Sequence, residues 1–385
     1  MTQRNWSVPE TEVVQRIRDR LDAGGTDVLA TIVDVDGNAY RRPGAKMLLD
    51  EGGAGVGSIT AGCLEDELVK VGARVRERGR PELVTYDLME DDDEDVWGLG
   101  VGCNGVIEVL LEPLSETYRP AVEAFSAGRD VGVLTVLDGG DSTFEQGDRA
   151  YYHPERDALR TPDGDDAADW PAGLAGPAGE LAADGKADTV TVDHDGTEIE
   201  VFVDGLAAPA DLVVFGTGHD VGPVTEFAAK NDFRVTVVGF RGAVDLDERF
   251  PAADRIVTTS PATVADDLDL DDQTYAVVMT HNFVDDQLTV EALLGAGVPY
   301  VGLMGPRERF EEMREAFDET YTESQLASLY TPVGLDLGGG SPYQIAHSIV
   351  GEALAVSNGR EPRHLKEREG PIHERVDVES DAPAQ

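Results

Sequence analysis

Leu212-Val213-Val214-Phe215-Gly216-Thr217-Gly218-His219-Asp220-Val221-Gly222 is the stretch that decides the fold of the C-terminal half. Four apolar residues in a row read as a strand buried on both faces. The glycines that follow let the backbone turn tightly, and a helix is expected from there through Lys230. Strand, glycine turn and helix in this order form the first unit of a Rossmann-type domain, whose helix N-terminus offers free N–H groups to a phosphate. The turn departs from a dinucleotide fingerprint in two ways. Its spacing is GxGxxxG, one residue longer than GxGxxG, with Asp220 as the addition. The second strand, 235–238, runs into Gly239, Phe240 and Arg241, where an acid about 20 residues after the glycines would bind a ribose hydroxyl. Arg241 suits a phosphate instead.

Beyond that turn, strands at 256–257, 275–279 and 299–303 alternate with helical segments, so a parallel sheet with right-handed crossovers is expected. Ligands in such sheets bind outside the carboxyl ends of the strands. Thr280-His281 follows one strand and Met304-Gly305-Pro306-Arg307 follows another, so His281, Gly305 and Arg307 are expected to share the crevice of Gly216, Gly218 and His219. A glycine-rich loop at 334–340, carrying Asp336, precedes a last helix at 342–356.

The N-terminal half has a different grammar. Residues 8–23 read as an amphipathic helix with Val13, Val14, Ile17 and Leu21 on one face, Ser7 as its cap and Pro9 near its first turn. Strands follow at 27–35, 46–49 and 56–59, then a helix at 63–76, a strand at 83–87, an acidic loop at 90–95 and a strand at 105–111. Strands at 132–137 and 148–152 echo the first hairpin at an offset close to 103 residues, which suggests an internal hairpin duplication. The Gly-, Pro- and Ala-rich segment 163–186 reads as a surface loop or lid, and a hairpin turns about Asp195-Gly196. Pro209 marks a boundary. The expected fold class is therefore α/β: a mixed α/β N-terminal domain at 1–208, a C-terminal Rossmann-like parallel-sheet domain at 209–358 and a charged, mobile tail at 359–385.

The net charge of −45 is spread along the chain, and only five lysines occur among 31 basic residues. Such a surface suits high salt, where ions screen self-repulsion, and argues against nucleic-acid binding. No apolar run approaches the ~18 residues of a membrane span, and no secretory signal pattern opens the chain. Two cysteines make neither a disulfide framework nor a four-ligand zinc site, so no metal site is assigned and the cytoplasm is the expected compartment.

Against that acidic background, Tyr40-Arg41-Arg42-Pro43-Gly44-Ala45-Lys46 gathers three cations. Arginine forks hold phosphate or carboxylate bidentately, and pairing with nearby acids is the alternative. Gly62-Cys63 stands before a helix whose dipole can lower a thiol pKa; a small residue in a tight turn is the alternative. Cys103 recurs in a similar setting, Gly102-Cys103-Asn104-Gly105.

Taken in order, these segments resemble the XdhC/CoxI family. Residues 30–68, with Arg42-Pro43-Gly44-Ala45 and Gly62-Cys63-Leu64-Glu65, are similar to its N-terminal domain; 97–113 is similar to its second cysteine motif; 212–241, His281, 300–307 and 332–336 are similar to its Rossmann domain. The resemblance implies an accessory protein, a cofactor chaperone that matures molybdenum hydroxylases of the xanthine or carbon monoxide dehydrogenase type. It would bind the molybdenum cofactor (molybdopterin), assist its sulfuration with a cysteine desulfurase and deliver it to the hydroxylase apoenzyme, with a homodimer as the accompanying expectation. On this reading an inter-domain crevice holds the pterin. Arg41, Arg42, Gly44, Gly62, Gly102, Asn104, Gly216, Gly218, His219, His281, Gly305, Arg307 and Asp336 line it, and Cys63 and Cys103 sit near the metal or a transferred sulfur. Gly239 departs from the acid many members carry, which counts against NAD(P). The other readings are an NAD(P)-dependent oxidoreductase and a scaffold that only docks partner proteins.

Overall fold

The computed structural model describes residues 5–37, 39–88, 105–241, 245–317, 321–367 and 369. The chain forms two compact units, one ending at Ala208 and one running from Pro209 to Glu369. The acidic segment 90–95, the glycine–cysteine motif at 102–104 and residues 368 and 370–385 of the tail lie outside the described residues.

Unit 1 contains α1 (Glu10–Ala23), β1 (Val28–Gly37), β2 (Lys46–Leu49), β3 (Gly55–Gly57), α2 (Glu65–Arg78), β4 (Glu82–Asp87) and β5 (Gly105–Pro113). It continues with α3 (Arg119–Ser126), β6 (Val131–Asp138), β7 (Arg149–His153), β8 (Ala158–Arg160), α4 (Ala175–Asp184), β9 (Ala187–His194) and β10 (Thr197–Leu206). The strands form two antiparallel five-stranded sheets ordered β3-β2-β1-β5-β4 and β8-β7-β6-β10-β9. The second order is the first with every strand number raised by five, so one seven-element pattern occurs twice.

Period-two alternation explains the layering. On β1, Val28, Ala30 and Ile32 pack under Leu68, Val71 and Val75 of α2. Leu29 faces the other way, into a cluster shared with Val13 and Ile17 of α1, Val122 of α3 and Val131 and Val133 of β6. In the second sheet Leu134 and Val136 meet Ala178, Leu181 and Ala182 of α4.

Three expectations are corrected here. Residues 163–186 are not a loop or lid, because α4 occupies their second half and buries Ala178, Leu181 and Ala182 on the sheet. Its alanines carry little hydrophobic signal, but they let the helix approach the strands closely. Ser7 does not cap α1; Pro9 takes the cap position and no side chain bonds there. Cys63 is not helical, since α2 begins at Glu65.

Unit 2 contains β11 (Asp211–Phe215), α5 (Val221–Lys230), β12 (Arg234–Gly239), α6 (Leu246–Arg249), β13 (Arg255–Thr258), α7 (Val264–Asp267) and β14 (Thr274–Val278). Then come α8 (Phe283–Ala296), β15 (Tyr300–Leu303), α9 (Arg307–Glu315), α10 (Glu323–Leu326), β16 (Leu329–Tyr330) and α11 (Pro342–Ser357). The six strands are parallel in the order β13-β12-β11-β14-β15-β16. The α/β reading, with antiparallel sheets followed by a parallel Rossmann-like sheet, therefore holds. Leu212 and Val214 pack with Val221 and Val224 of α5 and Ile349 of α11. Val213 and Phe215 pack with Val290, Leu293 and Leu294 of α8 on the opposite face. Burial on both faces is why β11 reads as an unbroken apolar run. Among the described residues no helix is long and apolar enough to cross a membrane.

Buried tyrosines make a pH prediction. Burial pushes the Tyr86 phenol up to about 12, and raises Tyr118, Tyr151 and Tyr300 as well. Below the ordinary value of 10.0 both states keep these protons. Above it the unfolded chain ionises first, so stability falls as pH rises toward the folded values. Denaturant midpoints are expected to drop from about pH 10 upward toward about pH 12, and Tyr86→Phe should soften the drop; an unchanged slope in that variant would refute the assignment.

Candidate functional site

In unit 2 the strand order reverses direction between β11 and β14, where crossovers leave to opposite sides and the carboxyl ends open a crevice. Gly216 leaves β11 with φ +148, and its N–H donates to Val238 O at 3.0 Å. A methyl group on Gly216 would stand 2.6 Å from Met279 O, so only glycine lets the two strand ends pass this closely. A methyl on Gly218 would meet the Asp220 carboxylate at 2.3 Å.

Asp220 precedes α5 but does not cap it. Its Oδ2 instead lies 2.8 Å from His281 Nε2 across the crevice. The residue that lengthens the glycine turn is thus the residue that engages the histidine after β14. His281 is exposed and holds φ +61, an unusual backbone for a side chain of its size. Its neighbours fix it there. Thr280 donates through N and Oγ1 to Asp286 Oδ1 at 3.2 and 2.5 Å, and Asn282 Oδ1 accepts from Val284 and Asp285 N–H at the start of α8. Asp286 is buried, with Arg309 Nη2 2.6 Å from its Oδ2. Arg309 Nη1 also donates to Met304 O at 3.2 Å, which ties the β15 end, and with it Gly305, to the same network.

Of the residues expected to converge here, Gly216, Gly218 and His281 do so. Gly305 follows β15, and His219 and Arg307 are exposed near their strand ends. Asp336 is exposed in the loop before α11. Asp286 and Arg309 join them without any mark in the sequence. Arg307, Arg309 and Arg314 look alike in a helical segment, and only helical phase turns Arg309 inward. Arg241 pairs with Asp285 at 2.7 Å, so α8 partly neutralises it.

In unit 1 the three cations separate. Arg41 pairs with Glu10 and reaches Ser58 Oγ at 3.5 Å, which brings its loop beside the segment leading to Cys63. Lys46 is buried against Asp204 at 2.6 Å. Arg42 is exposed. Gly44, with φ +93, makes the turn back into β2.

The Cys63 loop is clamped from within. Glu65 is fully buried, and its carboxylate accepts from Thr60 N–H at 2.9 Å, Thr60 Oγ1 at 2.7 Å and Leu64 N–H at 3.2 Å. Thr60 Oγ1 in turn accepts from Cys63 N–H at 3.0 Å. The N–H groups of Cys63 and Leu64, just before α2, are therefore engaged by the chain itself. Gly62, at φ +116, has nothing within 4 Å of where a Cβ would stand, and Cys63 is exposed beside it. Gly102, Cys103 and Asn104 lie outside the described residues. Among the described residues no three His, Cys, Asp or Glu side chains are grouped to hold a metal ion.

Comparison with known proteins gives a separate match for each half. Residues 10–87 match the XdhC and CoxI family, and residues 212–353 match the XdhC Rossmann domain. A Bacillus subtilis (strain 168) protein named as a probable xanthine dehydrogenase subunit is 28% identical over 335 residues, spanning 85% of this chain and 92% of that protein. An uncharacterised Escherichia coli (strain K12) protein, YqeB, is 26% identical over 182 residues, 47% of this chain and 33% of its own length. A crystal structure described as a xanthine dehydrogenase from Bacillus halodurans is similar at a TM-score of 0.71 and 28% identity, covering 91% of this chain and 96% of that one. With both halves matched in order and the expected α/β architecture in place, the chain belongs to the XdhC and CoxI family.

Proposed function

We propose that this protein is an accessory factor that matures a molybdenum hydroxylase of the xanthine dehydrogenase type, by holding the molybdenum cofactor during sulfuration and passing it to the apoenzyme. The observation that carries the reading is the exposed Cys63 beside an open glycine, with the arginine loop brought alongside through Arg41 and Ser58. A thiol is a soft ligand, and an exposed Arg42 suits the phosphate of an anionic pterin. The residues present thus fit the group. Cys63 and Cys103 would stand toward the metal, and Arg41, Arg42, Gly44, Gly62, Gly102 and Asn104 around the pterin. Gly216, Gly218, His219, His281, Gly305, Arg307 and Asp336 would be the residues that unit 2 offers to the cofactor's anionic end. When bound, the cofactor supplies the molybdenum centre that the client enzyme uses. The protein's own work is to bind it, orient it and shield it. A hydroxylase apoenzyme and a cysteine desulfurase are the partners this role requires.

The test is anaerobic binding of molybdenum cofactor to the intact protein, followed by its absorbance and metal content. Wild type is expected to bind. Cys63→Ala and Cys103→Ala are each expected to weaken binding by about 10- to 100-fold, the range for disturbed metal surroundings. Failure of wild type to bind would overturn the proposal. The strand order of unit 2 also suits a nucleotide, so NADH and NADPH belong in the same titration. Nicotinamide binding with turnover, and no pterin binding, would replace this reading with an oxidoreductase.

A further inference from the structure

The doubled pattern of unit 1 carries a consequence for the arginine loop. In the first sheet Thr31 stands opposite Lys46, and Leu29 opposite Glu112. In the second, Thr135 stands opposite Arg149, and Val133 opposite Asp204. Lys46 and Arg149 are therefore equivalent positions, as are Glu112 and Asp204. The ion pairs cross between the copies: Lys46 Nζ lies 2.6 Å from Asp204 Oδ2, and Arg149 Nη2 lies 2.6 and 2.8 Å from the two Glu112 oxygens. All four side chains are buried. A cation of one copy on an acid of the other, and the reverse, is the reciprocity of a two-fold contact, here within one chain.

The equivalence fails at one place. Gly44 and Gly147 make the same turn, with φ +93 and +94 and N–H donation at 2.9 Å to Ile32 O and Val136 O respectively. Lys46 Nζ, however, also donates to Gly44 O at 2.8 Å, and a methyl on Gly44 would stand 3.1 Å from Asp204 Oδ1. Arg149 instead reaches Thr135 and Thr117, and Gly147 lies against Pro81. The acid of the second copy thus holds the turn of the first, whereas the reciprocal acid holds no such turn.

We propose that Asp204 is a positioning residue for the Arg41–Arg42 loop, acting through Lys46 on the Gly44 carbonyl; its functional meaning rests on the reading that this loop contacts the cofactor. A buried ammonium deprived of its carboxylate is costly and moves toward water. Lys46 would then release Gly44 O, and the turn that sets Arg42 would loosen while the sheets remain. The second copy, which has Phe144 and Glu145 in the places of Arg41 and Arg42, thereby acts as the support for the first.

Glu112→Gln is the internal control, because it disturbs the equivalent buried pair. Hydrogen exchange on the full chain should show the Gly44 and Ala45 amides, bonded to Ile32 O and Arg42 O, exchanging about tenfold faster or more in Asp204→Asn. They should stay at the wild-type rate in Glu112→Gln. Should Asp204→Asn fold poorly, Lys46→Met with Asp204→Leu replaces the pair by apolar groups that a core tolerates, and it too should mobilise these amides. Cofactor affinity should fall with Asp204→Asn and hold with Glu112→Gln. Equal changes in both variants, or no change at Gly44 and Ala45, would overturn the proposal. If wild type binds no cofactor, the functional reading fails, and the exchange data still decide whether Asp204 holds the loop.

Discussion

Replacing Arg149 with alanine is expected to destabilise unit 1 by about 3–5 kcal/mol, the cost of leaving one member of a buried ion pair behind. Burial alone would lower the Arg149 guanidinium, yet Glu112 and the neighbouring tyrosines hold it above its ordinary value. Its side chain is only 3% exposed and Glu112's only 9%, so water cannot take over the lost partner. The Tyr118 ring, 4.9 Å from the guanidinium carbon, loses its cation as well. The contrast that isolates this cause is Arg149→Met combined with Glu112→Leu. That pair removes both charges and refills the space, and it is expected to stay near neutral. Urea unfolding followed by circular dichroism measures both. A single variant no weaker than the double would show that the pair is solvated.

Gly216→Ala is expected to cost about 3–5 kcal/mol in unit 2, which places it among the largest single-residue effects. Two causes add. A φ of +148 strains any residue with a Cβ by about 1–3 kcal/mol. The new methyl would stand 2.6 Å from Met279 O and 3.0 Å from its carbonyl carbon, so the ends of β11 and β14 must separate. At about 2–4 °C per kcal/mol for a unit of this size, Tm should fall by about 10 °C. Gly222→Ala is the comparison, since nothing lies within 4 Å of a methyl there and alanine favours a helix by as much as about 1 kcal/mol. A Gly216→Ala protein as stable as Gly222→Ala would mean that the strand ends at the crevice are not closely packed.

Both effects show where sequence reading reaches and where it stops. The β11 turn is legible because a run of apolar residues, two glycines and a helix stand next to one another, and local sterics leave one solution. Cys63 and the arginine loop are legible as unusual chemistry, one for its glycine neighbour and the other for its charge. The loop's division of labour is not legible. Arg41, Arg42 and Lys46 lie within six residues, yet Arg41 is tied to Glu10, Lys46 to Asp204, and Arg42 is left exposed.

The same contrast applies to the repeated half. An offset near 103 residues hints at a second hairpin, and the registers place Arg149 at that distance from Lys46. The rest of the second copy is fainter, because α4 buries two alanines beside Leu181 where α2 buries Leu68, Val71 and Val75. What the sequence by itself determined is the class of each half: strands alternating with helices demand a parallel sheet covered on both faces, and short strands joined by turns demand antiparallel pairing. What only the tertiary structure decided is partnership. His281 on Asp220, Arg309 on Asp286 and Lys46 on Asp204 join residues from 23 to 158 positions apart in sequence. A charged side chain carries no record of its partner until burial removes the water that would otherwise serve it.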